Sequence, residues 1–300
     1  MKKKTYLFAL MAMVLTLGSC SDNENGIGGE TSKYITVSTS IGNMTRVATD
    51  ANGGQTFEEG DEISVYAWTG DATVAPETRE RVVNNAINKL TNGSWVSTPQ
   101  MLWKNNRDKH YFIGVYPVAA ISDLSAGEYT FDETKQVESD LLVAVNKDGL
   151  SYNVDEQQPV PLTFTHVMAK LAVNLTYKNQ WGGIPTVEKV VVGNAAKEAT
   201  INYLTKVVTP STTAKEDFSL PEITENTKYV SVIIPQEDVK QLTIVIGGKN
   251  FVYDNGTPFK LESGKITTVN LEVGRDEIKL GDVKITNWED GSTFSGEALN

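Results

Sequence analysis

From residue 33 onward, apolar side chains recur at every second position, the period of a half-buried β-strand. Ile35, Val37, Thr39 and Ile41 alternate with Thr36, Ser38 and Ser40, and Ile63, Val65 and Ala67 alternate with Ser64, Tyr66 and Trp68. Short β-branched or aromatic runs follow at 111–116, 141–145, 171–177, 190–192, 230–234, 242–246, 269–273 and 283–285, bounded by Gly, Asn, Asp or Pro. Residues 81–90 place Val82, Val83, Ala86, Ile87 and Leu90 at helical spacing. They run into Asn92-Gly93, a hairpin signal, and so read as a strand. Long helical crossovers are missing, which predicts an all-β protein of sandwiches. The proline-containing stretch Gln157-Gln158-Pro159-Val160-Pro161 divides the strands into an N-terminal sandwich over 33–160 and a C-terminal one over 161–290, with a tail at 291–300.

The first 19 residues follow a different pattern. Lys2, Lys3 and Lys4 precede an apolar run over 6–17, the layout of a secretory signal peptide and too short for a comfortable membrane span. Leu17-Gly18-Ser19-Cys20 resembles a bacterial lipobox, which implies cleavage before Cys20 and acylation of its thiol and new amino group. Such acyl chains hold a soluble fold to the outer membrane. Residues 20–32 are polar and glycine-rich, a flexible tether in which Asp22 and Glu24 resemble a lipoprotein surface-export signal. No later segment is apolar enough to span a bilayer.

Composition narrows the chemistry. Cys20 is the sole cysteine, so no disulfide forms within the chain. Lys plus Arg number 27 against 38 Asp plus Glu, a net charge of -11 that excludes nucleic acid as an expected partner. Only His110 and His166 are available to activate a nucleophile, and both read as packing or surface residues, so no catalytic residue is assigned and the chain is expected not to be an enzyme. Asp108-Lys109-His110 and Asp50-Ala51-Asn52-Gly53 lack the further ligands of a zinc or calcium site, and no metal or cofactor is expected. Glu58-Glu59 and Glu289-Asp290 read as solvated loop carboxylates.

Several motifs occur together in a telling order. They are Met44-Thr45-Arg46, Phe57-Glu58-Glu59-Gly60-Asp61-Glu62-Ile63, Tyr111-Phe112-Ile113-Gly114-Val115-Tyr116-Pro117, Val160-Pro161-Leu162-Thr163-Phe164-Thr165-His166 and the closing Ile285-Thr286-Asn287-Trp288. Behind a lipobox, this set resembles the fimbrillin family, subunits of type V pili and related surface lipoproteins of Gram-negative anaerobes. The resemblance implies two transthyretin-like β-sandwich domains in tandem and partnership with other pilus subunits by donor-strand exchange. In that family an arginine-specific protease cuts after the first strand, which then leaves. The opened groove offers unpaired backbone groups and an apolar row to another subunit's strand.

Carried onto this chain, the resemblance places the cut between Arg46 and Val47, and Arg46 is the only arginine before Arg79. The displaced strand contains Ile35, Val37, Thr39 and Ile41, with Ile35, Val37 and Ile41 as its apolar face. The tail has only Phe294, Ala298 and Leu299 as apolar residues, a weak donor, whereas the better row Ile278-Leu280 and Val283-Ile285 lies upstream. A tip, accessory or anchor subunit is therefore expected over a shaft subunit, with a surface glycan or protein as adhesion target. The alternative is a surface glycan-binding lipoprotein that does not polymerise. Trp181, beside Gly182-Gly183, is the tryptophan best placed for glycan contact. An exposed cluster among the five tryptophans would favour that alternative, and their burial the structural role.

Overall fold

The computed structural model describes residues 33–42, 56–153 and 158–288. In chain order its strands are β1 (Val37–Ile41), β2 (Glu62–Thr69), β3 (Val83–Thr91), β4 (Ser94–Thr98), β5 (His110–Tyr116), β6 (Gly127–Thr130), β7 (Leu142–Leu150) and β8 (Val160–His166). They continue with β9 (Ala169–Tyr177), β10 (Val187–Ala196), β11 (Glu198–Asn202), β12 (Val207–Pro210), β13 (Lys215–Leu220), β14 (Glu222–Thr224) and β15 (Lys228–Ile233). The last four are β16 (Gln241–Ile246), β17 (Lys249–Asp254), β18 (Lys265–Val273) and β19 (Ile278–Asn287). The expected all-β class holds, and residues 83–91 are a strand as the Asn-Gly signal predicts. Asn92 and Gly93 take φ of 51° and 72°, the positive values that a two-residue hairpin turn needs.

Seven strands form one sheet in the order β1-β8-β7-β5-β2-β3-β4. Its edges approach each other, because Tyr34 bridges Leu102 beyond β4 and the Trp95 indole on β4 donates to Thr39 Oγ1 on β1. The sheet thus curls around its own core, which includes Ile35, Val37, Ile63, Val65, Met101, Phe112, Leu162 and Phe164. Its other face, with Tyr66, Trp68, Ile113, Val115 and Val143, belongs to a second core shared with β9, β10, β16 and β18. Residues 63–68 are therefore all buried, where alternation alone predicts a solvated face. A strand covered on both sides reads as a continuous apolar run. The exception, Ser64, accepts a hydrogen bond from the Ala119 amide at 3.0 Å, while the Tyr66 hydroxyl accepts one from the Ile121 amide at 2.9 Å.

The remaining sheets are β13-β10-β16-β17, β12-β11-β6 and β14-β15-β9-β18-β19. β6, from the first half of the chain, pairs with β11 from the second. The boundary expected at 157–161 falls at the start of β8, which the structure keeps in the seven-stranded sheet, and the chain crosses to the other sheets after His166. β19 is the row Ile278-Leu280 and Val283-Ile285, paired with β18 along its whole length.

Packing leaves no room for a side chain at Gly114 on β5. A Cβ there would lie 2.6 Å from Phe164 Cζ and 3.1 Å from Leu162 Cδ1. Gly114→Ala is expected to destabilise the fold by about 1–3 kcal/mol through overpacking, read in a denaturant titration.

Candidate functional site

The first strand is held unequally on its two sides. Val37 to Ile41 run parallel to β8, with Val37 opposite Val160 and Ile41 opposite Phe164. The Val160 amide donates to the Thr36 carbonyl and the Gly42 amide to the Phe164 carbonyl, both at 2.8 Å. Period-two geometry then turns the peptide groups of Val37, Thr39 and Ile41 the other way. On that side, only the entry to the strand is paired: the Ile35 amide donates to the Met101 carbonyl at 2.9 Å and the Trp103 amide to the Lys33 carbonyl at 3.1 Å. Among the described residues, the backbone groups of Val37, Thr39 and Ile41 have no strand beside them.

What lies there is a cleft of about 680 Å³ between β1 and the β3–β4 hairpin, lined by Val37, Thr39, Ile41, Phe57, Leu90 and Trp95 among others. Trp95 Nε1 reaches across it to Thr39 Oγ1 at 2.9 Å. Phe57 closes one end, edge-on to Trp95 at 5.3 Å, to Tyr116 at 5.4 Å and to Phe164 at 5.1 Å. Ile35 and Val37 are buried and Ile41 packs at the rim of the same core. Among the described residues the strand is thus an apolar insert with one complete ladder and one edge that no strand pairs. The alternation at 35–41 makes the insert legible, but the seam formed by Phe57 and Trp95 is not, because both come from chain segments remote from β1.

Cys20, Arg46 and Val47 lie outside the described residues, as does the tail at 291–300. Trp181 is half-buried: its indole donates to the Val273 carbonyl at 3.0 Å, Phe251 meets it edge-on and Arg275 lies over its ring. Trp68 and Trp288 are buried, Trp95 and Trp103 half-buried, so the five tryptophans present no exposed cluster. His110 is buried, with Nε2 accepting from the Lys104 amide and Nδ1 facing the Asp108 carbonyl, each at 3.0 Å. Burial holds its pKa below the ordinary imidazole value. His166 Nδ1 meets Asp140 Oδ1 at 2.8 Å and its ring stacks on Trp288 at 4.1 Å. Both histidines serve packing. Among the described residues, no three His, Cys, Asp or Glu converge as a metal site, and no helix is long and apolar enough to cross a membrane.

The architecture is a curled sheet completed by its first strand, continuous in its core with further sheets. It is shared with a candidate cell adhesion protein of Bacteroides uniformis (TM-score 0.64, 18% identity, 85% of this chain and 98% of that one). A candidate cell adhesion protein of Bacteroides ovatus is similar to the same extent (TM-score 0.62, 18% identity, 85% and 98% coverage). The chain belongs to the fimbrillin-like family, whose model matches residues 45–288. It is also 25% identical to Fim1C of Bacteroides uniformis, a candidate fimbrium subunit, over 97% of each chain. Family and fold together fit a fimbrial subunit or adhesin at the cell surface, with a structural role.

Proposed function

We propose that this protein is a subunit of a type V pilus, exported as a lipoprotein on Cys20 and assembled after a cut between Arg46 and Val47 releases β1. A strand from another subunit then takes the vacated place. The observation that carries this reading is the asymmetry of β1: a buried apolar row and one ladder to β8 and, among the described residues, no strand paired alongside Val37, Thr39 and Ile41. Removal exposes the backbone edge of β8 and the pockets of Ile35 and Val37, a template for strand addition. The fimbrillin-like family match and the similarity to Fim1C support the same reading. The subunit sits at a tip, accessory or anchor position, since the residues after 290 are poor in apolar side chains.

The test is Arg46→Ala in cells that build the fibre. The wild-type chain recovered from fibres is expected to begin at Val47, and the variant to remain a lipidated precursor absent from fibres. Normal incorporation of the variant would refute the reading.

A further inference from the structure

A hollow of about 370 Å³ opens where four chain segments meet: Thr165 and His166 at the end of β8, Lys206 in the β11–β12 turn, Ser263 to Lys265 at the start of β18, and Asn287 and Trp288 at the end of β19. Its charge is the reverse of the chain's. Among the described residues no Asp or Glu lines it, although the sequence has 38 of them against 27 basic residues. Two lysines do. Lys206 Nζ donates to Thr165 Oγ1 at 3.0 Å and Lys265 Nζ donates to Asn287 Oδ1, and among the described residues neither ammonium has a carboxylate partner. Each keeps further N–H donors for a ligand.

Two details mark the hollow as more than a chance meeting of surface cations. Lys206 has φ of 61°, a left-handed conformation that non-glycine residues seldom adopt, and it is half-buried. Desolvation, and next the charge of Lys147, hold its pKa below the ordinary lysine value, so an anion there would relieve an existing strain on the charge. Trp288 is 7% exposed, and among the described residues its buried Nε1 has no hydrogen-bond partner.

We propose that this hollow is a binding site for a sugar acid, a carboxylate carried on a polyhydroxylated ring. The two ammoniums take the carboxylate. The Thr165 and Ser263 hydroxyls and the Asn287 amide suit ring hydroxyls. The volume is at the lower end of small-ligand pockets, about 300–1,000 Å³, which suits one ring and not an extended peptide. Recognition is by charge and hydrogen bonds and not by stacking, because His166 covers the Trp288 ring at 4.1 Å and Lys170 Nζ lies 4.2 Å from its centroid.

The test is calorimetric titration of the full chain with glucuronic acid and N-acetylneuraminic acid, with glucose as the neutral probe and inorganic sulfate as the bare anion. One or both acids are expected to bind, more weakly as ionic strength rises. Lys206→Gln and Lys265→Gln are each expected to weaken binding roughly tenfold or more. Lys206→Gln should melt no lower than the parent, and Lys265→Gln serves if it does not fold. No binding, equal binding of glucose, or sulfate binding as tightly as the acids, which marks an adventitious ion only, overturns the proposal. Binding that appears only in Glu289→Gln/Asp290→Asn also overturns it, since the chain's own acids would then fill the hollow.

Discussion

A chain that starts at Val47, and so lacks β1, is expected to melt on the order of 10 °C below the full chain and to bind an apolar fluorescent dye that the full chain ignores. Ile35 and Val37 are 2% and 6% exposed, and burying each such side chain is worth about 1.5–3 kcal/mol. For a unit of this size each kcal/mol moves the midpoint by roughly 2–4 °C. The open edge of β8 adds backbone groups that water satisfies less well than a strand does. A synthetic peptide of residues 33–42, supplied in trans, should bind and raise the melting temperature again, with its Val37 opposite Val160. A truncated chain that melts with the parent and captures no peptide would show that the groove does not form, whatever happens at Arg46 in cells.

Trp288→Ala is the point substitution expected to do most damage, about 3–5 kcal/mol, because it removes a large buried ring at the end of β19. The indole lies against the His166 ring at 4.1 Å and 8° and under the Lys170 ammonium at 4.2 Å, while its amide donates to the Gly264 carbonyl at 3.1 Å. Those contacts join the last residue of β8 to the last turn of β19. Hydrogen exchange should therefore accelerate along 278–287 before it does in β2 or β5. A double-mutant cycle with His166→Ala should give a coupling of about 0.5–1.5 kcal/mol. Uniform acceleration across the fold with zero coupling would mean that the stack has no local role.

The strand at 35–41, the hairpin at Asn92-Gly93 and the runs at 63–68 and 111–116 are legible because each depends on residues close in sequence. Pairing is another matter. Nothing in the alternation of Val37, Thr39 and Ile41 says that their partners are Val160, Leu162 and Phe164. Ser64 and Tyr66 read as a solvated face because polarity in sequence does not reveal the Ala119 and Ile121 backbone groups that satisfy them. Lys206 belongs to no motif in the sequence, and only the folded chain sets it with Lys265 in a hollow that no described Asp or Glu lines. Cys20 and Arg46 stand at the opposite extreme, expected from motif alone and outside the described residues.

The parallel run of β1 beside β8 also has a mechanical meaning. A pull applied at Lys33 acts along the strand axis, so the five register pairs from Val37–Val160 to Ile41–Phe164 share the load in shear. A force directed across the ladder would instead peel those pairs apart one after another. An intact first strand would thus hold firm under axial tension on a tethered subunit, whereas a peeling force from one end could remove it.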